Sequence, residues 1–388
     1  METEIISNRR MKAVYWGGFL LAAHYALIAY LNSSLLGQFV NNNALDVLYI
    51  VGSILGITLL SLAPFLLRKY GSLKTFLFFV VLEMLAIFGL GVANSKALVI
   101  ILFIVYLSAD AILYFCLDVN LEQETKTEGT TGGKRGAFLS VQNVAWVLSP
   151  LALTFLAAPD AFGRIYLLSG TALIPLFIIA VLFFRNIKET DMAESRIIPT
   201  LRSLWKGGDQ ARIIGVQFML NFFYSWMMIY LPLLLNKEMG FSWPKIGVMF
   251  VIMLVPFLLF ELPAGILSDK KLGEKEILTF GFLIMFLATA IIPFLTTTSF
   301  LIWSLVLFAT RIGASFVEIS SETYFFKHVK EENTGLISLF RITKPFAFVV
   351  VPLIALVVVH FFSYGTSFLF LAGFTLCGLF FIPKVDTK

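Results

Sequence analysis

Ionisable side chains stand inside long apolar runs at several points of this chain: His24, Glu83, Asp110, Glu261, Arg311 and Glu318 are each flanked on both sides by mostly apolar sequence. In lipid, a charge at mid-depth costs about 3 kcal/mol or more unless it finds a partner or a watery cavity. Each such residue is therefore a candidate for binding or for proton transfer. Asp110 and Arg311 carry opposite charge, so they are expected to bind substrate or proton, or to pair across a cavity; a permanent pair is the structural alternative. Glu318 and Glu322 return to the helical face of Arg311 after roughly two and three turns, and Asp118 and Glu122 repeat that spacing earlier in the chain. The repetition points to pairing with Lys270, Lys275, Arg68 and Lys74, while Glu318 is deep enough to carry a proton. His24 is a proton carrier by its ordinary pKa near 6.5, or else a neutral ring bonded to a neighbouring helix. Glu83 reads as structural, Glu261 as support for the loop after it, and Arg341 and Lys344 as long stems snorkelling near a helix start. His360 reads as interfacial.

Uncharged polar groups add a second pattern. Gln217, Asn221 and Tyr224 follow i, i+4, i+7 spacing and form one stripe on a helix, and Tyr25 and Asn32 are two turns apart. Such stripes suit a cavity for an organic molecule with a polar portion, and equally suit hydrogen bonding between helices. Cys116 and Cys377 lie apart from any His/Cys cluster, so no disulfide framework, metal site or cofactor is expected. Residues 129–135, Gly-Thr-Thr-Gly-Gly-Lys-Arg, faintly resemble a phosphate-binding loop. The spacing is one residue short, and Arg135 replaces the hydroxyl that would hold magnesium, so a cytoplasmic linker suffices.

The elements that position these residues are helices. Hydrophobic residues make up 59% of the 388 residues and charged ones only 14%, against roughly 25% in a soluble domain. Apolar segments long enough to cross hydrocarbon recur at about 13–35, 44–67, 75–94, 97–117, 137–157, 164–185, 213–236, 244–267, 276–295, 299–325, 338–361 and 363–383. Helices are required because lipid offers the backbone no hydrogen-bond partner. Arg9, Arg10 and Lys12 precede a first run too long for a cleaved signal peptide, so it is expected to remain as an anchor. Basic residues test the count of twelve. One set of alternate loops holds only Lys96, Arg164, Lys237 and Lys245, while nearly all the rest of the 29 Lys and Arg fall in the other set and at the two ends. That asymmetry places both termini in the cytoplasm, and it accounts for the net charge of +5 without a nucleic-acid partner. The longest polar stretch divides the chain into a six-helix bundle at 1–190, a cytoplasmic linker at 191–212 and a second six-helix bundle at 213–388.

Two loops carry a resemblance. After the eighth span the chain reads Gly265-Ile-Leu-Ser-Asp269-Lys270-Lys271-Leu-Gly273-Glu-Lys275; after the second it reads Ala63-Pro-Phe-Leu-Leu67-Arg68-Lys69-Tyr-Gly71-Ser-Leu-Lys74. The first resembles the loop signature of the major facilitator superfamily, and the second is an eroded copy at the equivalent place. The resemblance implies an all-α membrane fold of two pseudo-symmetric bundles, with spans 1, 4, 7 and 10 around a central cavity. Asp110 and Arg311 would face its midplane from opposite halves. It also implies gating by Gly265, Asp269, Lys270 and Gly273, with Asp269 latching onto the start of the fifth span near Lys134 and Arg135. In the first half Leu67 stands where the acid belongs, leaving Arg68 and Gly71 of the pattern. The fifth span carries Ala145-Trp-Val-Leu-Ser149-Pro150 in place of the glycine-rich run of the family's antiporters, which counts against a drug–proton antiporter.

The resemblance implies a secondary transporter, not an enzyme, that moves a small organic solute across the cell membrane by alternating access. Protons are the candidate coupling ion and efflux the preferred direction. Site candidates are His24, Asp110, Arg311, Glu318, Gln217, Asn221 and Tyr224. Partners are the solute, protons and membrane lipid, and a monomer is expected. Uptake of a sugar or other metabolite is the alternative, and a non-transporting sensor or scaffold on the same fold is the competitor from another class.

Overall fold

The computed structural model describes residues 2–124, 131–156, 162–184, 208–270, 273–328 and 334–384, all helical or short connections, with no strand among them. The first half holds α1 (Glu2–Ala29), α2 (Asn32–Leu36), α3 (Asn42–Tyr70), α4 (Ser72–Val92), α5 (Lys96–Glu124), α6 (Thr131–Leu148), α7 (Leu151–Leu156) and α8 (Phe162–Phe183). The second holds α9 (Asp209–Leu233), α10 (Trp243–Lys270), α11 (Glu274–Ile291), α12 (Phe300–His328), α13 (Thr334–Phe361) and α14 (Tyr364–Leu376). Among the described residues, ten helices are long and apolar enough to cross a membrane. The other two spans are α1, whose apolar run is broken by His24 and small residues, and α6–α7, which is split. The chain is a multi-pass membrane protein with twelve helical spans in two bundles of six. The segment expected to link them lies mostly outside the described residues.

Side chains turned to the outside are those that lipid tolerates, including Phe78, Leu85, Phe155, Leu182, Leu287 and Leu301. Two turns repeat between the halves. Gly71, at φ 83°, joins α3 to α4, and Gly273, at φ 74°, leads into α11. Only glycine adopts this backbone without strain, so the two loop copies share a backbone requirement. Gly265, Asp269 and Lys270 close α10, but their side chains lie outside those described, as do Lys134 and Arg135, so the expected latch falls there too.

Two expected spans are corrected. The first span ends at Ala29, short of the expected 35, and the chain resumes helix as α2. Asn32 therefore leaves the stripe of Tyr25 and instead bonds Tyr106 and Tyr166 at 3.4 and 2.6 Å. The fifth span breaks at Ser149-Pro150, because proline removes a helical N–H donor and crowds the preceding turn; the Ser149 hydroxyl bonds back to the Ala145 carbonyl at 2.7 Å.

The halves meet along α3 with α13, and along α6 and α7 with α10. These interface helices carry interior prolines: Pro64 in α3, Pro256 and Pro263 in α10, Pro345 and Pro352 in α13. Each removes one internal hydrogen bond and gives the helix a place to bend. Glycine lets the backbones close in. A Cβ on Gly247 of α10 would stand 2.8 Å from the Thr154 nitrogen and 2.9 Å from the Pro150 oxygen of the other half.

Candidate functional site

A cavity of about 180 Å³ lies between the halves and is lined from both. Helix phase decides what faces it. On α9 the stripe Gln217, Asn221, Tyr224 lines it, with Met228 one turn beyond. On α5, Leu107, Asp110, Ala111, Tyr114 and Asp118 return at helical spacing, and on α12, Arg311, Glu318 and Glu322 do the same. Tyr25, Tyr30, Trp146 and Phe257 add aromatic walls.

Asp110 and Arg311 both line this space, as expected, but they do not pair with each other. Asp110 Oδ2 lies 3.4 Å from Lys344 Nζ, and that ammonium sits 4.0 and 4.9 Å from the ring centres of Tyr25 and Tyr114. Asp110 Oδ1 has no hydrogen-bond partner. Arg311 is 1% exposed. Its Nη2 is 3.4 Å from the Tyr30 hydroxyl, and the Phe223 and Tyr224 rings lie 5.0 and 5.4 Å from Cζ. Its Nε and Nη1 have no partner. Tyr224 donates to Glu318 at 2.6 Å. Gln217 accepts from Ser321 at 2.9 Å, and Asn221 donates to Thr343 at 3.0 Å.

Toward the end that carries the termini, Arg341 of α13 bridges the halves. It holds Asp118 at 2.6 Å and Glu322 at 2.9 Å. Glu322, expected to pair with loop bases, is bound by Arg341, since α13 brings that guanidinium alongside α12 and α5. Snorkelling of Arg341 and Lys344 at a helix start is corrected too. Both line the cavity, because α13 begins at Thr334 and carries them inward. Glu261, expected to support the loop after it, accepts instead from Asn143 of the other half. Arg68 is exposed on the last turn of α3, next to Gly71 and away from the cavity.

The opposite end is closed by apolar contact. Tyr30 packs tilted against Phe250 at 4.5 Å, Tyr49 stacks on Phe348 at 5.8 Å, and Phe162 meets Trp243 at 5.3 Å. Tyr230 donates to Asp46 across the same seam at 2.7 Å. One buried apolar cluster runs through the second half and takes in Ile28, Leu31, Leu45 and Tyr49 of the first. A second cluster, around Met11, Leu60, Leu67 and Phe76, draws its buried members from the first half alone. The halves are thus fused by apolar contact away from the termini, while the described links between them nearer the termini are polar: Arg341 with Asp118, Lys344 with Asp110 and Asn143 with Glu261.

His24 is turned elsewhere. It is fully buried, with Nε2 at 3.1 Å from Glu83 Oε1 and Nδ1 at 2.7 Å from Ser169 Oγ. It is absent from the cavity wall and ties α1 to α4 and α8. Changing His24 to Leu removes the bond to Glu83 Oε1, while Glu83 Oε2 already lacks a partner. An unsatisfied buried polar group costs about 1–3 kcal/mol, so the variant is expected to unfold at lower temperature while retaining whatever transport the folded fraction supports. Transport lost at unchanged thermal stability would instead mark His24 as a working residue.

Comparison with known proteins fits this geometry. The family model described as Major Facilitator Superfamily matches residues 213–388. By that match the second half of the chain is of the major facilitator superfamily. Its first half, outside that match, is covered by likeness to solved structures. The crystal structure of the nucleoside transporter NupG has a TM-score of 0.73 at 11% identity, over 96% of this chain and 97% of that one. A point mutant of NupG gives 0.76 at 11% identity, over 96% and 98%. The human organic anion transporter MFSD10 (TETRAN) gives 0.70 at 14% identity, over 97% and 99%. At such identities the likeness shows a shared fold over nearly the whole chain. A search of curated proteins returns no match.

Proposed function

We propose that this protein is a secondary active transporter that carries a small organic solute across the cell membrane by alternating access. The observation that carries the reading is the cavity between the halves, walled by aromatic rings and holding buried polar atoms with unused hydrogen-bonding capacity on both sides, Asp110 Oδ1 and Arg311 Nε and Nη1. Buried polar atoms left unbonded in this way give a scaffold nothing, whereas a binding site uses them. The structural relatives, named as a nucleoside transporter and an organic anion transporter, support an organic cargo.

The distribution of basic loops puts the termini in the cytoplasm, so the fused end faces outward and the conformation is closed to the outside. Glu318, bonded to Tyr224 two turns from Arg311, is our candidate proton carrier, and efflux is the preferred direction. The protein works as a monomer in lipid, with no cofactor.

Proteoliposomes containing only this protein test the reading. Saturable flux of an organic solute above that of empty vesicles is expected, faster with an imposed proton gradient and slowed by a protonophore. Flux indistinguishable from empty vesicles across a broad solute panel would leave a sensor or scaffold. Flux indifferent to the gradient would remove the proton.

A further inference from the structure

Three basic residues line the cavity, and they differ in how their charge is met. Arg341 is held by Asp118 and Glu322, and Lys344 by Asp110. Arg311 has no carboxylate partner among the described residues. Its Nη2 reaches only a tyrosine hydroxyl at a long 3.4 Å, and its face is covered by Phe223 and Tyr224. The carboxylate on its own helix, Glu318, takes its hydrogen bond from Tyr224. A guanidinium that is 1% exposed, with two of its three nitrogens unbonded, is costly to keep unless something supplies the missing anion.

We propose that the missing anion is the cargo: the site takes an organic anion, with its negative group on Arg311 and an apolar or aromatic body against Tyr30, Trp146, Met228 and Phe257. This assignment rests on the transporter reading above and names its substrate class. Guanidinium N–H groups match carboxylate, sulfonate and phosphate oxygens in geometry and charge. The walls supply flat apolar area at the same depth. A cationic cargo fits less well. The acid it would need, Asp110, is already neutralised by Lys344, so the free Asp110 Oδ1 suits a hydroxyl or amide donor on the same anion.

The test uses the purified full chain and a matched series that changes only charge: naphthalene-2-carboxylate, naphthalene-2-sulfonate, naphthalen-2-ylmethanol and naphthalen-2-ylmethylamine. Because a ligand that binds the folded state raises the unfolding midpoint, both anions are expected to raise it in a concentration-dependent way, and the alcohol and amine are not. In Arg311→Gln the anion shift disappears, and in Arg311→Lys the apparent affinity falls about tenfold as the guanidinium geometry is lost. Ligand-free Arg311→Gln is expected to be at least as stable as the wild type, because it removes a buried charge that no described carboxylate bonds. A short-chain phosphatidylglycerol arm separates a solute from a lipid headgroup: stabilisation by the lipid but not by the carboxylate or sulfonate overturns the proposal. So does stabilisation by the amine alone, an anion shift that survives Arg311→Gln, or no shift with any anion. Should Arg311→Gln fail to fold, the charge series on the wild type still decides. Proteoliposome flux keeps the two readings apart. Saturable flux of cations or neutral solutes only sinks the anion assignment and leaves transport standing. Arg311-dependent anion binding with no flux of any solute sinks transport and leaves the site.

Discussion

Replacing Arg341 with Met is expected to lower the stability of this conformation by about 3 kcal/mol, because it removes the guanidinium that both Asp118 and Glu322 hold. The figure is at the low end for a buried bridge because the Arg341 side chain is 23% exposed, whereas Asp118 and Glu322 are only 5% and 4% exposed. The bridge ties α13 to α5 of the other half, so the loss falls on the joint between bundles rather than on either bundle. A change of about 3 kcal/mol is roughly a hundredfold in population, and the joint should part on the side of the termini. A single cysteine at Leu139, a half-buried position on the cavity wall, reports it in a background lacking Cys116 and Cys377. Labelling of that cysteine by an impermeant maleimide supplied from the terminus side should accelerate by tenfold or more. Adding Asp118→Asn and Glu322→Gln removes the two carboxylate charges of the bridge and should restore part of the lost stability. Unchanged labelling and an unchanged unfolding midpoint would show that the bridge holds nothing.

Gly247 offers the opposite result. A leucine there drives its Cβ into the Thr154 nitrogen and the Pro150 oxygen, both backbone atoms that cannot rotate away. Overpacking of this kind costs about 1–3 kcal/mol, all of it in the state where α10 lies against α7. The state in which the halves have separated at that end does not bear the cost, so Gly247→Leu is expected to move the population toward it. The cysteine at Leu139 should then label more slowly from the terminus side. Labelling should appear from the other side at a cavity position such as Met228, also changed to cysteine. A variant that is merely less stable, with sidedness of labelling unmoved, would show that the close approach serves packing alone.

The sequence discloses the fold because lipid imposes two rules that are visible in one dimension: a span must be long and apolar, and basic residues collect on one side. Those rules yield the twelve spans and the paired loops around Gly71 and Gly273. The break at Ser149-Pro150 is written in the residues, but whether a proline bends a span or splits it depends on what packs beside it. Of the site, the stripe Gln217, Asn221, Tyr224 is legible because helical period alone puts three polar groups on one face. Asp110, Arg311 and Glu318 are legible as charges at depth. Their partners are not. Periodicity assigns a residue to a face but not that face to a neighbour, so His24 and Tyr25, adjacent on α1, cannot be told apart as the one facing the first half's interior and the one facing the cavity. Arg341 and Lys344 are misplaced for a related reason: depth counted from the edge of an apolar run puts them at the surface, whereas α13 begins before that edge and buries their stems further in.

The unequal seams have a consequence for the transport cycle. Parting the end away from the termini means separating Tyr49 from Phe348, Tyr30 from Phe250 and Phe162 from Trp243, and wetting apolar surface that costs about 25 cal/mol for each Å² exposed. Parting the other end means exchanging polar links, the Arg341 bridge and the Asn143–Glu261 bond among them, for water, which hydrates polar groups well. If the protein transports as proposed, the empty carrier would dwell with its mouth turned to the terminus side, and the return stroke without cargo would be the slow one. Such a machine would swap one solute for another more readily than it moved solute in a single direction, and a driving gradient would do its work on the empty protein.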